Sequence, residues 1–515
     1  MSIHTSAPHR RPVRGDRTRQ RGFAEGAAAT PCRRGVVGPL GRIAAIAALG
    51  LSGCSEQIEL GIDASVAPPV DAGPRDAGPD PDGPPPDPVE LIADDPFGDG
   101  TAFSFVAGFG GQVYLGPAAN GGGAVRFNAD GSSAETVSFS FAADTTGNAS
   151  RNASPPPYSS IGRTGCAADT AECGPDNEDG RGLFASGVIG GTEYLIVGGA
   201  RSGGDLDFVY MTSSTASPLP FAYVDLSAEQ GPQTRGYSAL HVFGDRLYMG
   251  FPDTGGGRPF MHALVNPPAG DGLDAVPGTD FFNLEADELP GMQTPENSII
   301  DSFTDFADRL YLANDGAWIR SNNAAPGDAQ SAPGDWLATT PSAPAYAAKD
   351  SVATLKTADI EPADKAVPQM TAFAGRLYAA RNTTDGPQLW ACDPATAAPQ
   401  AHCDPDDWTL VAANASGDTQ LTQFDNPNNA AVSMLVATST HLYVGFDNPT
   451  DGAAVLRTSA SAPAAGDFEV VGQAGLGDAA NTRIFDAKAL NLGGSESVYA
   501  VVGSGASGVK VYRLR

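Results

Sequence analysis

The chain has 515 residues, of which 63 are Gly and 42 Pro, and a formal net charge of −29. That length exceeds one ordinary core unless the fold grows by repetition, and the turn-rich composition argues against long amphipathic helices. Residues 1–54 hold nine Arg against two acids, leaving 22 bases and 58 acids in the remainder, a balance of −36 that excludes a nucleic-acid binder and reads as a solubilising acidic surface.

In chain order, the first element is an address. "GRIAAIAALGLSGC" places Arg42 before a short apolar run, Ile43 to Leu51, and ends in Leu51-Ser52-Gly53-Cys54. The run is far below the roughly 20 residues that span a bilayer and fits the h-region of a secretory signal. The ending resembles the bacterial lipoprotein lipobox. That resemblance implies lipidation of Cys54 as the mature N-terminus, a signal peptide over 1–53 and a membrane partner through the lipid. Ser55, in place of Asp, favours the outer membrane, periplasmic or surface-exposed. The n-region is longer than usual for the family, and Arg33-Arg34 is too degenerate to assign twin-arginine export.

Residues 63–96 are rich in Pro and Asp and cannot bury enough apolar surface to offset their ordering. They predict a disordered linker over 54–87, with a reach on the order of 100 Å at about 3.1 Å per residue. A folded body then occupies 88–515.

Seven repeats follow, aligned on one tyrosine: Tyr114, Tyr194, Tyr248, Tyr311, Tyr378, Tyr443 and Tyr499. Spacings of this size in a strand-rich chain predict an all-β fold, a seven-bladed β-propeller of four-stranded antiparallel blades. In residues 367–412, "VPQMTAFA", "GRLYAAR", "QLWAC" and "DWTLVAA" are the four strands. Asp385-Gly386, with Asp315-Gly316, Asp451-Gly452 and Asn120-Gly121, supplies the positive φ that tight hairpins require. One tyrosine per repeat reads as packing between blades. The last repeat has three strands before Arg515, and "VELIAD", Val89 to Asp94, is placed to supply the fourth and close the ring. "GDWLATT" and "GDFEVVG", and loosely Asp407-Trp408, resemble eroded Asp-boxes of sialidase-like (BNR-type) propellers. That likeness implies the architecture without the chemistry.

Chemistry is harder to find. Cys166 with Cys173 and Cys392 with Cys403 read as local disulfides in an oxidising compartment, with free thiols or a metal site as the other readings. C-x6-C and C-x10-C match no zinc pattern, so no metal and no cofactor is expected. "GPDNEDG" puts Pro175 at the first calcium-ligand position and reads as a solvated loop. No nucleophile elbow, HExxH or phosphate loop occurs, and no catalytic residue is assigned. The residues expected near the starts of the first strands, on one face of the ring, are Asp99, Arg181, Arg235, Glu296, Asn297, Asp301, Lys365, Asn428, Asn429 and Arg483. They form a candidate ligand face or are ordinary polar loops. Two functions remain: a monomeric, envelope-anchored, non-catalytic binding or scaffold propeller for a protein or glycan, and a surface carbohydrate hydrolase or lyase. A channel lined by small apolar and amide groups favours the first; a convergent acid cluster with Arg favours the second.

Overall fold

A computed structural model describes residues 87–98, 104–116, 123–141, 183–200, 207–224, 239–250, 260–264, 281–285, 300–313, 317–324, 326, 335–347, 366–394, 402–415, 418–424, 426–504 and 508–515. All belong to the unit Gly83–Arg515. Cys54, Cys166, Cys173, the signal and all of the linker but Asp87 lie outside these residues. The described chain is almost wholly β; its one α-helix is the four-residue Pro344–Ala347.

After β1 (Val89–Asp94), the strands run as antiparallel meanders. The first is β2 (Phe105–Phe109), β3 (Gln112–Gly116), β4 (Gly123–Phe127) and β5 (Glu135–Phe141). The second is β6 (Leu183–Ile189), β7 (Thr192–Ala200), β8 (Asp207–Thr212) and β9 (Leu219–Val224). The third is β10 (Ala239–Phe243), β11 (Arg246–Gly250), β12 (Phe260–Leu264) and β13 (Phe281–Glu285). The fourth is β14 (Ser302–Phe306), β15 (Arg309–Ala313), β16 (Trp318–Ser321) and β17 (Trp336–Ala338). The fifth is β18 (Met370–Phe373), β19 (Arg376–Thr383), β20 (Gly386–Cys392) and β21 (Trp408–Ala415), extended by β22 (Asp418–Thr422). The sixth is β23 (Ala431–Ala437), β24 (Leu442–Asp447), β25 (Ala454–Thr458) and β26 (Glu469–Val470). The last is β27 (Arg483–Leu492), β28 (Ser495–Gly503) and β29 (Lys510–Leu514), and β1 pairs with β29.

The first strands touch in ring order, β2 to β6, β10, β14, β18, β23, β27 and back to β2. Successive sheets therefore stack face to face around a centre, the arrangement of a β-propeller. Because each sheet is covered on both sides, the second strands are buried along most of their length rather than at alternate positions. All six residues of β24 are buried, and so are all but the first of β15 and β19. β1 sets Val89 opposite Leu514 and Asp94 opposite Lys510. The Glu90 carboxylate accepts from Arg513 Nη2 at 2.5 Å and Arg515 Nη2 at 2.6 Å. Two features have no counterpart in the sequence reading. β22 is a fifth strand, and β5 pairs in parallel with β9, joining the first two meanders into one sheet.

The repeated tyrosines all sit on second strands and are at most 7% exposed. Their position explains the repetition. Tyr311 Oη accepts from Cys403 N at 3.0 Å, while Tyr378 Oη donates to Ser461 O at 3.5 Å and Tyr499 Oη to Ala129 O at 2.8 Å. In each case the partner lies between the third and fourth strands of the next meander. Burial raises the hydroxyl pKa of Tyr194, Tyr248, Tyr443 and Tyr499, and pushes Tyr311 and Tyr378 up to about 12. A phenol whose folded pKa exceeds its unfolded value contributes stability that is complete below about pH 10 and is lost as pH rises toward 12. An ultraviolet titration is therefore expected to show exposed tyrosines ionising near pH 10 and these six only with unfolding. Ionisation of all 13 tyrosines near pH 10 with the fold intact would contradict the burial.

The hairpins joining first to second strands are two-residue loops in six of the meanders, with both residues at positive φ. They are type I′ turns, whose twist matches the flanking strands. The Asp-Gly and Asn-Gly pairs expected at tight turns lie one connection later. Gly386 and Gly452 do have positive φ, but the paired left-handed residues are at the first connection, spelled GG, GD, AD or AG. Ala374, exposed at φ 50°, is strained there. Relief of about 1–2 kcal/mol outweighs the extra chain entropy of glycine, about 0.4–1 kcal/mol. Ala374→Gly is expected to raise Tm, while Ala372→Gly on the neighbouring exposed strand position lowers it. A fall for both variants in a thermal melt would refute the strain.

Candidate functional site

The ring encloses a central channel of about 540 Å³, walled by β2, β6, β10, β18, β23 and β27 and by Phe303 of β14. Each inner strand is the edge of its sheet, so backbone groups as well as side chains form the wall. Close approach of neighbouring strands fixes its width. A Cβ on Gly108 would stand 2.9 Å from Leu490 Cδ2, and one on Gly187 2.6 Å from Val242 Cβ. The side chains of Leu490 and Val242 thus lie across glycines of the adjacent strand.

The ionisable side chains among the described lining residues are His241 and Lys488. His241 Nε2 is 3.2 Å from Asp305 Oδ1, and its ring stacks on Phe303 with centroids 6.5 Å apart. The hydrogen bond from His241 holds the Asp305 carboxyl below the usual carboxylate range against its desolvation. Lys488 Nζ is 3.7 Å from Asp486 Oδ1, a long contact, while Asp486 Oδ2 accepts from Val106 N at 2.9 Å. Gln369 Oε1 accepts from Leu435 N at 2.6 Å across two inner strands.

That last contact is one of a set. Asp301 Oδ2 accepts from Val367 N at 3.1 Å, Asn382 Oδ1 from Val432 N at 2.8 Å, and Asp447 Oδ1 from Ile484 N at 2.9 Å. With Asp486 and Val106, each joins one meander to the next. An inner strand has no partner strand on the channel side, and these side chains supply acceptors for selected N–H groups there. At the hairpin end the direction reverses: Glu193 accepts from Gly110 N at 3.0 Å, Asp245 from Gly190 N at 3.1 Å, and Glu496 from Ser439 N at 2.7 Å.

Of the ten residues expected on the ligand face, Asp99, Arg181, Arg235, Glu296, Asn297 and Lys365 lie outside the described residues. The other four do not line the channel. Asp301 is 3% exposed and engaged with Val367. Asn428, Asn429 and Arg483 gather around one loop of the sixth meander. Asn428 Nδ2 donates to Asp451 Oδ2 at 2.9 Å, Asn448 Nδ2 to Asn429 Oδ1 at 3.1 Å, and Arg483 Nε lies 3.5 Å from Asp447 Oδ2. Hydrogen bonds from Asn428 and then Asn426 hold Asp451 below its ordinary pKa. No group of three or more His, Cys, Asp and Glu able to hold a metal ion occurs among the described residues.

Cys392 and Cys403 form a disulfide with Cα atoms 5.9 Å apart, and both are fully buried. It ties the segment 402–408 to the end of β20, and hydrogen bonds join that segment to the fourth meander. Cys403 O accepts from Arg320 Nε at 3.1 Å and Thr339 Oγ1 at 2.6 Å, and Arg320 Nη2 donates to Asp404 Oδ1 at 2.8 Å. Desolvation, then the nearby Arg309 and Arg320, pushes His402 below its ordinary pKa. In two of the three Asp-box-like segments the Asp is a local brace. Asp407 Oδ2 accepts from Asp404 N and Asp467 Oδ2 from Ala464 N, both at 2.8 Å, in short 3-10 turns just before Trp408 and Phe468.

No family model and no curated protein matches the chain. Solved structures resemble it weakly. One is a PQQ-bound aldose sugar dehydrogenase from Streptomyces coelicolor, at 10% identity and TM-score 0.37 over 83% of this chain and 98% of that one. Another is a chain of the mitotic checkpoint complex, at 12% identity and TM-score 0.40 over 90% and 99%. A third is the Trypanosoma rangeli sialidase in complex with the inhibitor DANA, at 9% and 0.37 over 64% and 54%. Likeness at this level carries no argument about activity.

Proposed function

We propose that this chain is an envelope lipoprotein, lipidated at Cys54 and carried to the outer membrane, whose body is a seven-bladed propeller closed by β1. We read that body as a monomeric, non-catalytic binding or scaffold module for a protein or carbohydrate ligand. The observation that supports this reading is the channel wall. Its described lining is strand edges, mostly small or apolar side chains, the Gln369 amide and two ionisable groups, His241 and Lys488, while the carboxylates Asp301, Asp447 and Asp486 accept from backbone N–H groups of the next meander.

The purified full chain, offered fluorogenic glycosides and envelope polysaccharides, is expected to retain a ligand without turning it over. Turnover lost on substituting channel residues would replace this reading with the hydrolase or lyase. The anchor is tested separately, by labelled palmitate in a Gram-negative host. Incorporation that survives Cys54→Ala refutes lipidation at that residue.

A further inference from the structure

The channel has two unlike parts that lie in one sector of the wall. Val188 on β6 is 55% exposed, an unusual state for a large apolar side chain, and it belongs to the channel lining. On either side of it are Val242, lying across Gly187, and Leu490, lying across Gly108. β27, β2, β6 and β10 are consecutive in the ring, so these three apolar side chains belong to one sector of the wall. Lys488 stands two residues before Leu490 on the same strand, with its side chain 47% exposed. The Asp486 carboxylate that faces Lys488 also accepts from Val106 N. No Asp or Glu is among the described residues lining the channel. In a body as acidic as this one, a cation beside exposed apolar surface is a distinct local environment. The general acidic field is screened beyond about 8 Å at physiological ionic strength, so an anion inside the channel responds mainly to its neighbours.

We propose that the channel binds a small organic monoanion with an apolar body, its carboxylate on Lys488 and its hydrocarbon on the apolar side chains of Leu490, Val188 and Val242. The volume of about 540 Å³ suits a molecule of modest size and lies within the usual range of ligand pockets. The site rests on the non-catalytic reading above, and it differs from the loop face at the strand starts. Charge assistance gives the carboxylate its orientation, and burial of the apolar chain contributes about 0.8 kcal/mol per CH₂.

Calorimetric titration of the purified full chain with hexanoate, hexanol and hexylammonium tests this. Hexanoate is expected to saturate one site, with hexanol weaker and hexylammonium silent. Lys488→Gln is expected to weaken hexanoate about tenfold and leave hexanol unchanged, whereas Val188→Asp weakens both. Absence of saturable hexanoate binding at millimolar concentration, equal affinity for hexanoate and hexanol, or wild-type affinity in Lys488→Gln overturns the proposal. Its failure is distinguishable from failure of the binding reading: glycoside turnover refutes that reading whatever hexanoate does, and a silent hexanoate titration without turnover refutes the anion site alone.

Discussion

Deleting residues 55–95 is expected to lower Tm and cause concentration-dependent aggregation, whereas deleting 55–87 leaves the melt nearly unchanged. The longer deletion removes β1. With it go its pairing with β29, the bonds from Glu90 to Arg513 and Arg515, and the bond from Arg515 N to Pro88 O. Val89 packs on the core shared by the sixth and last meanders, and Ile92 and Ala93 on the core shared by the last and first. Val89 and Ile92 are partly buried, so the loss of each costs less than the roughly 1.5–3 kcal/mol that full burial contributes. The uncovered edge of β29 is then open to pairing with another chain. Among the described residues, the shorter deletion takes away the Asp87 carboxylate that accepts from Val89 N, an exposed bond of little weight. Equal melts for the two deletions would refute closure by β1, and equal losses would assign fold contacts to the linker.

Tyr311→Ala is expected to cost about 3–5 kcal/mol, among the most damaging single substitutions available. The ring is fully buried in the seam between the fourth and fifth meanders, a seam that also holds Trp318, Trp390, Trp408 and the disulfide. Truncation leaves a cavity in a wall with little freedom to collapse, and it leaves Cys403 N without the hydroxyl that accepts from it. Tyr311→Phe separates the two terms. It keeps the ring and removes the acceptor, for about 1–3 kcal/mol. Denaturant unfolding followed by tryptophan fluorescence reads this seam directly, because three of the four tryptophans lie in it. A cost below 1 kcal/mol for Tyr311→Ala would show that the seam is not tightly packed.

What the sequence made legible was the part that repeats in identity. One tyrosine per repeat must fill the same space in each seam, so the residue itself recurs. The left-handed hairpins recur in conformation but not in spelling, since Gly, Ala and Asp all occupy them, and so no motif announced them. Contacts between meanders were harder still. Asp301 serves Val367 and Asp486 serves Val106 across long stretches of chain, and a single Asp among 60 acids carries no mark of such a role. The ligand face was sought where loops gather at the strand starts. The channel draws one to four ordinary residues from each inner strand, and His241 and Lys488 stand in no motif.

The parallel pairing of β5 with β9 bears on how the molecule comes apart. Phe139, Ser140 and Phe141 lie opposite Leu219, Pro220 and Phe221, and the Phe139 and Phe221 rings meet edge to face at 4.9 Å. Elsewhere among the described residues neighbouring sheets meet through side chains and single hydrogen bonds, which can separate one seam at a time. The first two meanders share a backbone ladder, so neither can release its amides without disturbing the other. In native-state hydrogen exchange these eight strands are therefore expected to open together, with partial opening of the ring beginning at another seam.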